Sequence, residues 1–375
     1  MSQKICVFTG TRAEYGLLRP VVSKLRTCDT DVFWLVSGSH LSDSYGHTLH
    51  EIEADALAPC VCADIALTDN SPAGVCDSMG RAMSQFGNIL ANQQPDILLA
   101  LGDRYEAFCA VTAAVVQHVP VAHLYGGETT LGAIDEYFRN AMTTMSQLHF
   151  TSCEAYRHKV IQLGAEPSKA WNVGALGVEN ALHTPVLPEG KVRAYLGIPE
   201  DANWIIATWH PETMSENDPV NQVAILANAL ETLAPLHIVF TGANADTGGK
   251  AVNDWLLHWA EKSPRRHFFL SLGVERYLNA ARYAKAVVGN SSSGIIEIPS
   301  LQVPVLDVGD RQQGRVRAAS VLHCACRRDE LSACFQKFLD LHWADSVRLC
   351  GNPYEQEDTS GQIAQRCLRY VLDQI

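Results

Sequence analysis

The residue types able to do chemistry in this chain recur at one kind of place. Arg12, Asp103, Arg104, Glu128, His210, Asn244, Asp246, Ser291, Ser292 and Arg311 each stand at or just past the end of an apolar run. Carboxylates and histidine move protons near neutral pH. Arginines and serine hydroxyls hold anions. Residues 286–297, Ala-Val-Val-Gly-Asn-Ser-Ser-Ser-Gly-Ile-Ile-Glu, are the most distinctive stretch. A β-branched run meets a small polar loop, then a short apolar segment containing Glu297. That order predicts a strand, a tight turn and the start of a helix. A helix start leaves N–H groups unpaired and attracts anions, phosphate above all. The same serines also suit an ordinary cap. Pro299 limits the helix or falls in its first turns. The carboxylates have ordinary readings too: Asp103 as a turn residue, Glu128 as a solvated side chain, Asp135 as a helix N-terminal acid. Asp135 and Arg139 are four apart, so they share a helix face and can pair.

The elements that must position these groups follow from periodicity. Strands are predicted at 4–9, 31–37, 97–101, 120–124, 148–151 and 170–173. Between them lie helices at 13–25, 42–55, 74–92, 105–118, from 134 onward, and 154–163. Composition loosens over 174–190, with Pro185, Pro188 and three glycines, and this stretch is predicted as a linker. The pattern then restarts, with strands at 204–209, 237–241, 267–271, 286–289 and 303–308. Its helices fall at 220–233, 251–259, 275–283, 330–341 and 362–372. Strand–helix alternation predicts an α/β protein with a parallel, doubly wound sheet in each half. In such sheets ligands bind beyond the carboxyl ends of the strands, where the polar residues above are gathered. Two domains facing a central cleft are the economical architecture. The first half supplies Asp103, Glu128 and Asp135, and the second supplies the serine loop, Glu297 and Arg311. That division points to chemistry on one side and phosphate plus nucleoside on the other.

Composition bounds the partners. The chain has 375 residues, 47% hydrophobic and 19% charged, with a formal net charge of −12. It has enough apolar content for full cores, and no dense basic cluster that would suit nucleic acid. An anionic ligand must be held by local arginines and backbone amides. No apolar run approaches the ~18 residues of a membrane span, and no signal-like segment opens the chain. The expectation is a soluble cytoplasmic protein. Of the twelve cysteines, Cys6, Cys109, Cys334 and Cys367 sit in apolar runs. Cys60-Val-Cys62 and His323-Cys324-Ala-Cys326 lack the spacing of zinc or redox motifs, so no metal is expected.

Seven colinear motifs carry a resemblance. They are Gly-Thr-Arg-Ala-Glu-Tyr-Gly at 10–16, Leu-Gly-Asp-Arg-Tyr-Glu at 101–106, Gly-Gly-Glu-Thr-Thr at 126–130 and Ile-Asp-Glu-Tyr-Phe-Arg at 134–139. Trp-His-Pro-Glu-Thr at 209–213, Gly-Asn-Ser-Ser-Ser-Gly at 289–294 and Gly-Asp-Arg-Gln-Gln-Gly-Arg-Val-Arg at 309–317 complete the set. Together they resemble the UDP-N-acetylglucosamine (UDP-GlcNAc) 2-epimerase family, and most closely its hydrolysing branch, the bacterial NeuC type of sialic acid synthesis.

The resemblance implies a GT-B fold of two Rossmann-like domains: residues 1–175 carrying the carboxylates, residues 176–360 binding UDP, and a C-terminal helix at 361–375 returning to the first. It implies hydrolysis of UDP-GlcNAc to UDP and N-acetylmannosamine without cofactor or metal. UDP is lost to give a 2-acetamidoglucal, which water then hydrates with inversion at C2. Asp103, Asp135 and His210 match family catalytic residues, and Arg139 a supporting arginine. Ser291, Ser292, Glu297 and Arg311 match UDP contacts, and Arg12 a phosphate or sugar contact. Asn244, at the end of a predicted strand, joins the substrate-binding set. The pattern departs at Tyr125, where relatives often carry a catalytic glutamate, and Glu128 is expected to take part of that role. Relatives also carry a lysine where this chain has Leu17. A homo-oligomer, dimer or tetramer, is implied, with no nucleic-acid or membrane partner. The same chemistry on UDP-2,4-diacetamido-trideoxy-glucose is the alternative. A non-hydrolysing epimerase or a GT-B glycosyltransferase stands further off.

Overall fold

The computed structural model describes residues 3–28, 30–43, 46–67, 69, 71–129, 134–212, 218–243, 248–338, 341–347 and 349–373. They form two compact units. The first runs to residue 179 and takes up the chain again from residue 356; the second spans 180–355.

The first unit contains β1 (Lys4–Thr9), α1 (Arg12–Arg26), β2 (Asp31–Val36), α2 (Leu49–Asp55), β3 (Cys60–Cys62), α3 (Pro72–Gln93) and β4 (Ile97–Leu101). It continues with α4 (Tyr105–Val116), β5 (Val121–Leu124), α5 (Asp135–Met145), β6 (Leu148–Thr151), α6 (Glu154–Gln162) and β7 (Ala170–Asn172). The seven strands pair in the order β3-β2-β1-β4-β5-β6-β7, each neighbour parallel. Ile97 to Leu101 are all buried, which is why this strand reads as an unbroken apolar run.

The chain leaves the first unit within α7 (Leu176–His183). This helix lies in the stretch predicted as a linker, which is a correction. Leu176, Val178 and Ala181 are buried along it. Gly174 and Pro185 flank this helix and Gly177 lies within it.

The second unit contains α8 (Glu189–Leu196), β8 (Trp204–Thr208), α9 (Pro219–Leu230), β9 (His237–Thr241), α10 (Gly249–Ala260), β10 (Arg266–Phe269) and α11 (Gly273–Arg282). Then come β11 (Val287–Gly289), α12 (Ser292–Ile296), β12 (Val305–Val308), β13 (Val321–Cys324), α13 (Arg328–Phe338) and α14 (Leu341–Val347). Its parallel sheet has the order β10-β9-β8-β11-β12-β13. The last helix, α15 (Thr359–Leu372), belongs to the first unit. There Ile363, Ala364, Cys367 and Val371 join the core that contains Leu18, Val21 and Val22 of α1. Each fully buried large apolar side chain contributes roughly 1.5–3 kcal/mol. Thr359 Oγ1 donates to the Val173 carbonyl at 2.7 Å, and the Ser360 N–H and hydroxyl both donate to Glu179 at 2.7 Å.

Strand order reverses between β1 and β4 in the first sheet and between β8 and β11 in the second. These are the switch points at which doubly wound sheets open a crevice. No helix among the described residues is long and apolar enough to cross a membrane.

Candidate active site

At the first switch point, the β1 turn is locked by a reciprocal cap. Thr11 Oγ1 accepts the Glu14 N–H at 3.3 Å, and Glu14 Oε2 accepts the Gly10 N–H at 2.7 Å. The arrangement differs from a capping box in that the buried carboxylate takes the N–H one residue before the N-cap. Burial pushes Glu14 up to about 7, against the pull of Arg104 and the Gly10 N–H, with Glu106 adding to the rise. Arg104 in turn pairs with the fully buried Glu106 through two bonds of 3.1 and 3.2 Å. Arg12 lies on the exposed side of this turn and pairs with Glu51 at 2.9 Å.

Asp103 follows β4. Its carboxylate accepts a hydrogen bond from Nη2 of Arg139, a residue of α5 that is 2% exposed. Nη1 of Arg139 donates to Glu136 at 2.6 Å and to the Glu128 carbonyl at 2.8 Å. One planar guanidinium thus ties together the ends of β4 and β5 and the first turn of α5, a fork geometry that lysine cannot supply. Lys159 of α6 adds a second cation, donating to Glu136 at 2.9 Å, Thr129 at 3.0 Å and the Glu128 carbonyl at 3.3 Å. Glu128 itself is buried, and its carboxylate accepts a bond from the buried Ser152 hydroxyl at 2.7 Å. Asp135 is the first residue of α5 and half-buried. His123 Nε2 lies 2.8 Å from the Gly102 carbonyl, which only accepts, so Nε2 carries the proton. Burial holds this imidazole neutral, down at about 4, although the Gly102 bond pulls the other way.

At the second switch point, the turn after β8 presents His210, 7% exposed. Asn290, fully buried after β11, grips its backbone. The His210 N–H donates to Asn290 Oδ1 at 2.7 Å, and Asn290 Nδ2 donates to the His210 carbonyl at 2.8 Å. Burial, and after it the Arg311 guanidinium, pushes the His210 imidazole down to about 3. The Asn290 carbonyl accepts Arg311 Nη1 at 3.2 Å and Gln312 Nε2 at 2.9 Å. Close packing forces Gly289: its φ is +133°, and a Cβ there would lie 1.9 Å from the Thr208 carbonyl oxygen. Ser291 stands at the N-cap position of α12 without a side-chain capping bond, Ser292 opens the helix and Glu297 follows its last residue. Pro299 falls in the 3₁₀ turn that follows, Ile298–Leu301. Asn244 lies outside the described residues.

The model of the UDP-N-acetylglucosamine 2-epimerase family matches residues 24–367. The chain belongs to this family. It is 36% identical over 360 residues to the polysialic acid biosynthesis protein P7 of Escherichia coli, covering 95% of this chain and 91% of that protein. It is 33% identical over 376 residues to the hydrolysing GDP/UDP-N,N'-diacetylbacillosamine 2-epimerase of Campylobacter jejuni, covering 100% of this chain and 97% of that one. The crystal structure of the UDP-GlcNAc 2-epimerase of Neisseria meningitidis bound to UDP-GlcNAc superposes with a TM-score of 0.80 at 16% identity, over 99% of this chain and 100% of that one. The two parallel sheets are thus those of a GT-B type fold.

Within this epimerase the structure brings Asp103, Arg139 and the backbone of Glu128 together in the first unit. In the second it gathers His210 and Arg311 around Asn290. Sequence reasoning overlooked Glu136, Ser152 and Lys159 around Arg139, and Glu212 and Asn290 around His210. Asn290 and Glu212 stand inside motifs already singled out, so their position was a usable signal. Nothing local marks Lys159, 23 residues beyond Glu136.

Proposed function

We propose that the protein hydrolyses UDP-GlcNAc to UDP and N-acetylmannosamine, in the synthesis of surface sugars. A base takes the C2 proton as the C1–O bond to UDP breaks, leaving 2-acetamidoglucal. Water then delivers hydroxyl to C1 and a proton to C2 on the opposite face. Asp103, Glu128 and Asp135 are the carboxylates from which base and acid are drawn. Arg139 holds the Asp103 carboxylate in place by a direct charge-assisted bond. His210, neutral at physiological pH, serves as an imidazole acceptor or donor. Ser291, Ser292 and Arg311 hold the diphosphate, Glu297 the ribose hydroxyls, and Arg12 and Asn244 add substrate contacts. Arg12 can exchange its exposed Glu51 partner for substrate, since such surface pairs are worth under about 1 kcal/mol.

The observation that carries this reading is the buried Arg139 bonded to Asp103 at a sheet switch point, in a chain of this family. The test is incubation with UDP-GlcNAc in D₂O without any acceptor. Released UDP and free N-acetylmannosamine with deuterium at C2 are expected. An intact UDP-sugar overturns the reading, and a product still bearing UDP replaces it with a non-hydrolysing epimerase. Whole-length similarity to the C. jejuni enzyme favours a second substrate, a UDP-linked diacetamido-trideoxy-hexose. Comparing kcat/KM for the two sugars decides between them.

A further inference from the structure

Glu212 follows His210 by two residues, in the turn after β8. Its carboxylate reaches past the β11 turn to the turn after β12, because β8, β11 and β12 are consecutive neighbours in the sheet. Oε1 accepts the backbone N–H of Asp310 at 2.9 Å and of Arg311 at 3.3 Å. Oε2 accepts Nε2 of Gln222, a buried side chain of α9, at 3.2 Å. Two successive N–H groups converging on one oxygen form an anion-holding concavity. Gly309 has φ +81°, and a Cβ there would stand 2.4 Å from Glu212 Oε1. The far end of the same loop is tied separately, by Arg317 to the buried Asp307 at 2.6 and 3.0 Å.

We propose that Glu212 is a positioning residue: its carboxylate fixes the turn that carries Arg311 and so aims that guanidinium at the diphosphate. This rests on the reading of Arg311 as a UDP contact. Two links then join His210 to Arg311. Asn290 connects the His210 backbone to the Arg311 guanidinium, and Glu212 connects the His210 turn to the Arg311 backbone. The catalytic imidazole and the anion-binding arginine are held in register by the same two residues, Asn290 and Glu212.

The reach of the carboxylate matters here more than its charge, and three substitutions separate the two. Glu212→Gln keeps an acceptor oxygen at the same distance. Glu212→Asp keeps the charge but withdraws it by one methylene. Glu212→Ala removes both. Calorimetric titration with UDP is expected to show affinity within about threefold of the parent for Glu212→Gln, and losses of about tenfold for Glu212→Asp and Glu212→Ala. In an Arg311→Ala background, Glu212→Ala is expected to change UDP affinity by less than about twofold, since the group it aims is gone. Losses that multiply in the double variant, or a loss that follows charge (Glu212→Gln weak, Glu212→Asp normal), overturn the proposal. If Glu212→Ala does not fold, the Gln and Asp pair alone decides it. Arg311→Ala with unaltered UDP affinity removes the reading beneath the proposal, and the proposal with it. That outcome is distinct from an Arg311→Ala that weakens UDP while the Glu212 variants do not.

Discussion

Arg139 and Asp103 are hydrogen-bonded although 36 residues separate them, and the arginine is 2% exposed. A buried guanidinium is tolerable only when paired on several sides. Here Asp103, Glu136 and the Glu128 carbonyl supply those partners. The cation is both a structural tie and the source of the field at Asp103.

Arg139→Lys is therefore expected to fail in spite of conserved charge, because a single ammonium nitrogen cannot stand at both of the positions that Nη1 and Nη2 of the planar guanidinium occupy. Turnover, read as UDP release, should fall by about 10²-fold or more, the scale of a misplaced acid–base group. Arg139→Ala should in addition cost about 1–3 kcal/mol in urea unfolding, since it leaves the half-buried Asp103 carboxylate and the Glu128 carbonyl without their donor. A lysine variant with parental turnover contradicts this account.

Tyr125 stands where the family resemblance places a catalytic glutamate. Its backbone is in the left-handed region, φ +68°. Its hydroxyl accepts the N–H of Leu176, the first residue of α7, at 2.8 Å. The hydroxyl satisfies a helix N-terminal amide. Tyr125→Phe should lose about 1 kcal/mol of stability and keep kcat within about threefold. A hundredfold fall in kcat with unchanged stability would mean that the phenol takes part in the reaction.

How much of this was legible beforehand depended on where each residue sits. β1, β4, β8 and β9 are buried runs, and their strand ends showed where polar groups collect. β3 and β13 escaped because they are short edge strands with half-exposed residues, which break the apolar run. α7 was hidden by the proline and glycines around it. In the site, Asp103 and His210 were visible as polar residues ending apolar strands. Lys159 was not, since only the packing of α5 and α6 against the β5 turn brings it to Glu136, and Ser152, which follows β6, meets Glu128 through the pairing of β5 with β6.

Ser291 and Ser292 lie at the start of α12, beside Asn290. If they contact the diphosphate, replacing both by alanine removes two charge-assisted bonds, each worth roughly 1.5–3 kcal/mol. UDP binding measured by calorimetry should weaken by at least tenfold, with little change in unfolding temperature. Unchanged affinity refutes the assignment.

Glu14 predicts a stability effect of definite sign. Its folded pKa is raised from 4.5 to about 7 by burial. A raised carboxylate favours the protonated folded form, so its contribution is present below pH 4.5 and lost as pH rises through 7. Glu14→Gln keeps an acceptor for the Gly10 N–H without the charge. It should match the parent near pH 5 and exceed it in stability by about 1–3 kcal/mol at pH 8. Urea unfolding at the two pH values measures this, and a variant less stable at pH 8 would show that Glu14 is held ionised in the folded protein.

His210 carries the opposite sign. Its folded pKa is lowered from 6.5 to about 3, by burial first and by Arg311 second. A lowered histidine contributes stability above pH 6.5 that is lost as pH falls through the window from 6.5 toward 3, because only the unfolded chain gains the proton there. His123 and His149, both lowered to about 4 by burial, act in the same direction. Stability should therefore drop steeply below pH 6, with a slope above that of a single site. NMR titration of His210 should find its imidazole neutral down to the acid transition. Arg311→Ala should raise the His210 pKa only partly toward 6.5, since burial is the larger cause. A full return to 6.5 would make the guanidinium the main cause and place His210 in a wetter site than its 7% exposure implies.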